Sequence, residues 1–82
     1  MVMKMRVRFR ENFIKAGLKV SYYRKLKMMT QAELAEKMGC EISFIGAIEA
    51  PNVYKAFSLD TLFRIAEILE VLAHKFLMFD ED

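Results

Sequence analysis

The stretch MTQAELAEKMGCEISFIGAIEAPN, from Met29 to Asn52, decides the fold. Thr30 is a favourable helix N-cap, so the stretch predicts a helix over about Gln31 to Met38. Gly39 can adopt the left-handed conformation that ends such a helix. A second helix is expected from about Ile42 to Glu49, since the proline that follows disfavours helical backbone just before it. The stretch therefore predicts two short helices joined by a tight turn.

Three further helices are expected around this pair. Apolar residues at helical spacing predict a first helix from about Phe13 to Lys27. Ser58 is a suitable N-cap for a fourth helix, whose apolar residues lie on one face. A last short helix is expected from about Ala73 to Phe79. With one proline and three glycines, the chain has few breaks. Residues 13–82 are therefore predicted to form a compact, all-α, five-helix domain.

The first ten residues, MVMKMRVRFR, have a different pattern, in which apolar and basic residues alternate. A period of two predicts a strand with one apolar and one positive face. A lone strand is not stable, so it would need a partner, for example its copy in a second subunit. A frayed arm or a helical start are the alternatives, because chain termini are often poorly ordered. We treat residues 1–12 as a basic N-terminal strand or arm.

Composition limits the class of protein. The chain has 82 residues, and 55% of them are hydrophobic, above the 45–50% or so of typical globular chains, which suggests a dimer. Cys40 is the only cysteine and His74 the only histidine, so we expect no disulfide, no metal site, no cofactor and no enzymatic activity. Without a long apolar run or a signal peptide, a soluble, cytoplasmic protein with no membrane contact is expected.

Charge is distributed unevenly along the chain. Residues 1–30 carry nine Lys or Arg and one acidic residue, whereas the remaining residues carry four Lys or Arg and ten Asp or Glu. Such a division suggests contact with a polyanion through one end. The alternative is a solvated basic face balanced by an acidic one, as on many soluble domains.

Fourteen residues of this chain resemble, in order and spacing, the Xre and Cro group of phage-repressor-like helix-turn-helix regulators of bacteria and phages. The resemblance covers about Leu18 to Leu77. It implies a DNA-binding transcriptional regulator that binds double-stranded DNA as a homodimer, with the third helix in the major groove. The residues that carry it are Thr30, Gln31, Leu34, Ala35, Gly39, Ile45, Ile48, Glu49, Ser58, Leu59, Leu62, Ala66, Leu69 and Val71.

The resemblance also assigns roles to individual residues. Gln31 matches a glutamine that binds a DNA phosphate, and Arg24 and Glu49 match a structural ion pair. The remaining matches are the base-facing positions of the third helix and the backbone-contacting loop after it. They are Ile42, Ser43, Phe44, Gly46 and Ala47 in the helix, and Asn52 and Lys55 in the loop.

The third helix departs from this pattern, because only Ser43 among its base-facing residues can donate or accept a hydrogen bond. Affinity would then depend on phosphates and DNA shape, with Arg6, Arg8 and Arg10 adding charge or entering a minor groove. A second hypothesis is a module that binds a protein partner through its apolar third helix. A third is the antitoxin of a two-protein module.

Overall fold

The computed structural model describes residues 2–79, with side chains from residue 9 onward. Over this range the chain is all-α and contains no strand. The four α-helices and one 3-10 helix are α1 (Val2–Leu26), α2 (Gln31–Met38), α3 (Ile42–Glu49), α4 (Leu59–Leu69) and the terminal 3-10 helix (Ala73–Leu77). The all-α prediction is confirmed, whereas the fifth helix is a 3-10 turn.

The strand predicted over MVMKMRVRFR is wrong, because α1 begins at Val2 and includes residues 2–10; Met1 lies outside the described residues. An isolated strand leaves its backbone donors and acceptors unpaired, whereas a helix pairs them within the segment. Continuation of α1 therefore needs no partner. The predicted division between residues 12 and 13 falls inside this 25-residue helix and stays a prediction.

Local signals fix both ends of α2. The Thr30 hydroxyl accepts a hydrogen bond from the Glu33 N–H at 3.0 Å, and the Thr30 N–H donates to the Glu33 carboxylate at 2.8 Å. This reciprocal capping box pairs two of the donors that the start of a helix leaves free. At the other end Gly39 has φ 73°, the left-handed conformation that reverses the chain direction into α3.

Gly17 brings α1 and α3 into close contact. A Cβ atom added to Gly17 would collide with the Ile48 carbonyl oxygen. Glycine is required here because two backbones approach each other without an intervening side chain. The helices enclose a core that includes Val20, Leu34, Ile45 and Phe76, each completely buried. No helix within residues 2–79 is long and apolar enough to cross a membrane.

Candidate nucleic-acid interface

Arg24 and Glu49 form a buried, bidentate ion pair between α1 and α3. Arg24 Nε donates to Glu49 Oε2 at 2.7 Å, and Arg24 Nη2 donates to Glu49 Oε1 at 2.8 Å. The third nitrogen, Nη1, donates to the Met29 carbonyl at 2.7 Å. Hydrogen bonding to Glu49 raises the pKa of Arg24 above its ordinary value. These three bonds hold the end of α3 against α1 and the loop before α2.

Gln31, the first residue of α2, joins this ion pair. Its Nε2 donates to Glu49 Oε1 at 3.0 Å, and the side chain is half-buried. On the other side, a Cβ added to Gly46 would lie 3.9 Å from Gln31 Oε1. The glutamine assigned to a phosphate thus has an internal partner, and one amide hydrogen remains for an outside acceptor. Through Glu49, the network links α1, α2 and α3.

The outward side of α3 presents few polar groups. Ile42 and Ser43 are exposed, Ile42 with 51% of its surface accessible. Phe44, Gly46 and Ala47 are half-buried. The structure therefore places the five positions that were predicted to face bases on one helix, where they form a small, largely apolar surface with one hydroxyl, and Phe44 also packs against the core. We call these five residues the outer face of α3.

Lys55 lies beside this face through a contact that was not expected from the sequence. Its Nζ atom is 5.5 Å from the centre of the Phe44 ring, within the range of a cation–π interaction. Asn52 and Lys55 are both exposed in the loop between α3 and α4. The ring therefore holds a positive charge next to the outer face of α3. No periodic pattern relates a loop residue to a helix residue eleven positions earlier, so sequence reasoning missed this pair.

The helical backbone of α1 spaces the three N-terminal arginine positions differently from the predicted strand. Positions 6 and 10 are four residues apart in α1 and fall on one helix face, whereas position 8 falls on a different face. Of the three, Arg10 alone has a described side chain, and it is half-buried. The structure places these three positions about two to three turns ahead of Ala16, the first buried residue among the described side chains of α1.

The remaining candidates for chemistry are isolated side chains. Cys40 is a half-buried free thiol, and His74 is exposed in the terminal 3-10 helix. In the described part of the chain, no three His, Cys, Asp or Glu side chains are grouped so that they could hold a metal ion. The candidate site therefore consists of Gln31, the outer face of α3 and the following loop.

Comparison with known families identifies this arrangement. A family model described as helix-turn-helix matches residues 20–74, two thirds of the chain. The chain belongs to the helix-turn-helix family. This confirms the resemblance drawn from the sequence, and the matched range of the helix-turn-helix domain begins within α1 and ends in the terminal 3-10 helix.

Two solved structures resemble this helix-turn-helix domain over most of its length. The first is SinR, described as the master regulator for biofilm formation, in complex with DNA. It has a TM-score of 0.68 and 34% identity, and the match covers 76% of this chain and 97% of that one. The second is the SinR protein/SinI protein complex, with a TM-score of 0.69 and 33% identity, covering 78% of this chain and 61% of that one. Comparison with curated protein sequences gives no match.

Proposed function

We propose that this chain is a transcriptional regulator of the Xre/Cro type that binds duplex DNA as a homodimer in the cytoplasm. Each copy would place α3 in the major groove, with the two copies about one helical turn of DNA apart. The observation that carries this proposal is the likeness to SinR, a protein solved in complex with DNA, at 34% identity over 97% of that chain. A binding role, without catalysis, is proposed.

Gln31 would anchor the domain on a DNA phosphate. Its bond to Glu49 fixes the orientation of the amide, and the remaining N–H is directed by that bond rather than free to rotate. A phosphate near the start of α2 would also interact favourably with the positive end of the helix dipole. Such a contact fixes the position of the protein on DNA without selecting a sequence. Gln31→Ala should therefore weaken binding to all DNA sequences alike.

Base reading by the outer face of α3 would be weak and mainly apolar. Ser43 can exchange a hydrogen bond with a base edge, and Ile42, Phe44 and Ala47 can contact thymine methyl groups. Gly46 adds no side chain and lets the backbone approach. Since the amide and guanidinium side chains that usually read bases are missing from this face, much of the preference would come from DNA shape.

The loop and the N-terminal turns of α1 would supply positive charge. Lys55 lies over the Phe44 ring and would contact the DNA backbone if α3 occupied the groove, and Asn52 in the same loop would do so too. Arg6, Arg8 and Arg10 would contact phosphates. A minor groove about 6 Å wide does not admit a helix about 10 Å in diameter, so α1 would have to unwind locally to enter one. Phosphate contact from the intact helix is therefore the arrangement we propose for residues 1–12.

Salt-dependent DNA binding tests this proposal. We would measure the dissociation constant of the full chain for a duplex by fluorescence anisotropy over a range of salt concentrations. Each phosphate contact contributes about 0.9 to the slope of log affinity against log salt. Lys55→Gln should lower that slope by about one contact. Lys75→Gln removes an exposed lysine from the terminal 3-10 helix and serves as the matched control.

The two variants distinguish a specific from a general effect. Equal slopes for Lys55→Gln and the native chain would remove Lys55 from the interface, and an equal loss in Lys75→Gln would show that only net charge matters. Absence of DNA binding even at low salt would contradict the proposal that the chain is a DNA-binding regulator. That result would leave the protein-interaction module, for which the SinR protein/SinI protein complex is the precedent in a similar fold.

A further inference from the structure

The first turns of α1 extend ahead of the helix-turn-helix domain. The 25 residues of α1 span about 37 Å at 1.5 Å per residue, and the family match begins only at residue 20. Phe9 lies on the stripe that continues, one turn later, into Phe13, yet 46% of its surface is exposed. The Phe9 ring is therefore partly exposed to solvent at the N-terminal end of an apolar stripe that is otherwise packed against the domain.

An open apolar groove lies beside this stripe. It has a volume of about 440 Å³ and runs between the middle of α1, the start of α4 and the end of the terminal 3-10 helix with the chain that follows it. Phe13, Leu59, Leu77 and Phe79 contribute to its walls. Leu59 is 61% exposed and Leu77 50% exposed, so the groove presents aliphatic surface to solvent. Uncovered apolar surface of this kind is typical of an interaction site.

The occupant of the groove cannot be the stripe of the same chain. Because α1 is one continuous helix to Leu26, its first turns continue along the helix axis and cannot fold back over Phe13. The corresponding turns of a second copy have no such restriction. In an antiparallel pair of α1 helices, Phe9 of each copy meets the groove of the other, and one contact is repeated by two-fold symmetry.

Charge complementarity favours a second copy over an unrelated partner. The first turns of α1 carry Lys4, Arg6, Arg8 and Arg10 with no acidic residue among them. Acidic residues adjoin the groove in the sequence: Asp60 follows Leu59, and Asp80, Glu81 and Asp82 follow Phe79. In the sequence, basic residues therefore accompany the apolar stripe and acidic residues follow Leu59 and Phe79 of the groove walls, a pattern that suits a self-complementary interface.

We propose that two copies of this chain associate through α1, with Phe9 of each copy in the groove between α1 and α4 of the other. This proposal rests on the homodimer proposed above and names the surface through which that dimer forms. Formation of the dimer does not depend on DNA binding. A fully desolvated aromatic anchor in a pocket commonly contributes 30-fold or more to affinity, corresponding to about 2 kcal/mol. Phe9 would be such an anchor.

Sedimentation velocity of the full chain without DNA tests the anchor. The native chain should dimerise, and Phe9→Gln should raise the dimer dissociation constant by about 30-fold or more. Leu26→Gln removes another exposed apolar side chain from the same helix, 61% accessible, and should leave the constant unchanged. A native chain that stays monomeric at high concentration would overturn the proposal, as would a dimer equally affected by both substitutions.

Cross-linking between two single variants tests the partner surface. In a Cys40→Ser background, Phe9→Cys mixed with Leu77→Cys should give a disulfide-linked dimer containing one copy of each. A mixture of Leu26→Cys and Leu77→Cys is the control and should give little product. Dimers that form without a cross-link between positions 9 and 77 would place the interface elsewhere. DNA binding measured on the same Phe9→Gln variant reports separately on the proposed function.

Discussion

The inner and outer sides of α3 differ in how strongly contacts within the chain restrict which residues they can carry. On the inner side, Ile45 and Ile48 are buried in the core, and Glu49 is held by Arg24 and Gln31. On the outer side, Ile42 and Ser43 are exposed and contact little of their own chain. Packing within the chain thus restricts the inner side, whereas the outer side is free to suit whatever it binds. Substitutions on the two sides should therefore separate stability from binding.

Breaking the buried ion pair should have the largest effect on stability. Glu49→Ala leaves the Arg24 guanidinium buried without its carboxylate, and removal of one partner from such a pair costs about 3–5 kcal/mol. Urea unfolding followed by circular dichroism measures the loss. Glu67→Ala, at an exposed position of α4, is the control and should change the free energy of unfolding by no more than about 0.5 kcal/mol. Similar losses in both variants would show that the pair does not stabilise the fold.

Gly17→Ala should have the next largest effect, and its sign is informative. In an ordinary helix interior, replacing glycine by alanine stabilises by about 0.5–1 kcal/mol. Here the added Cβ collides with the Ile48 carbonyl, and overpacking of this kind costs about 1–3 kcal/mol. The free energy of unfolding should therefore fall. A rise would mean that α1 and α3 separate easily, and that the inner side of α3 is less restricted than we argue.

Loss of the α2 cap should have a smaller effect, of about 1 kcal/mol for Thr30→Ala. The bonds from Thr30 lower the pKa of Glu33 below its ordinary value of 4.5. A group whose pKa is lower in the folded state stabilises the fold at pH values above its unfolded pKa. This contribution should be complete above about pH 4.5 and decline as pH falls through the lowered value. Glu33→Gln should show less loss than the native chain on acidification from pH 6 to pH 3.

The smallest effect on stability should come from the outer side of α3. Ile42→Asn replaces a half-exposed side chain and should alter the free energy of unfolding by no more than about 0.5 kcal/mol. An amide there can pair with adenine in the major groove, and one such contact discriminates between bases by about 1–3 kcal/mol. Competition binding with duplexes that differ at one base pair measures the change. Unchanged preferences at every position would exclude Ile42 from the base-facing surface.

The sequence predicted the helix-turn-helix itself because its signals are local. Thr30, Gly39 and Ser58 act within a few residues of their own positions, so the expected ends of α2 and α3 and the expected start of α4 agree with the structure. The apolar residues of these helices recur at helical spacing, and their burial follows from that spacing. Local chemistry was therefore sufficient for the order of these three helices, both ends of α2 and α3, and the start of α4.

Features that depend on contacts between distant residues were not predictable in the same way. The alternation in MVMKMRVRFR suggested a strand, but a strand requires a partner and a helix does not. The close approach at Gly17, the bond from Gln31 to Glu49 and the contact between Lys55 and Phe44 each join separate elements. None of them has a periodic signature in one sequence. The exact assignment of the outer face of α3 to DNA stays a prediction for the same reason.

Selection of the purified chain against a random pool of DNA duplexes at moderate salt tests the central claim most directly. The claim is that the outer side of α3 serves DNA while the inner side maintains the fold. We expect recovery of a paired motif with half-sites about one helical turn apart, which a dimer with two α3 helices in successive major grooves would select. Recovery of DNA without a shared motif, or of no DNA, would contradict it.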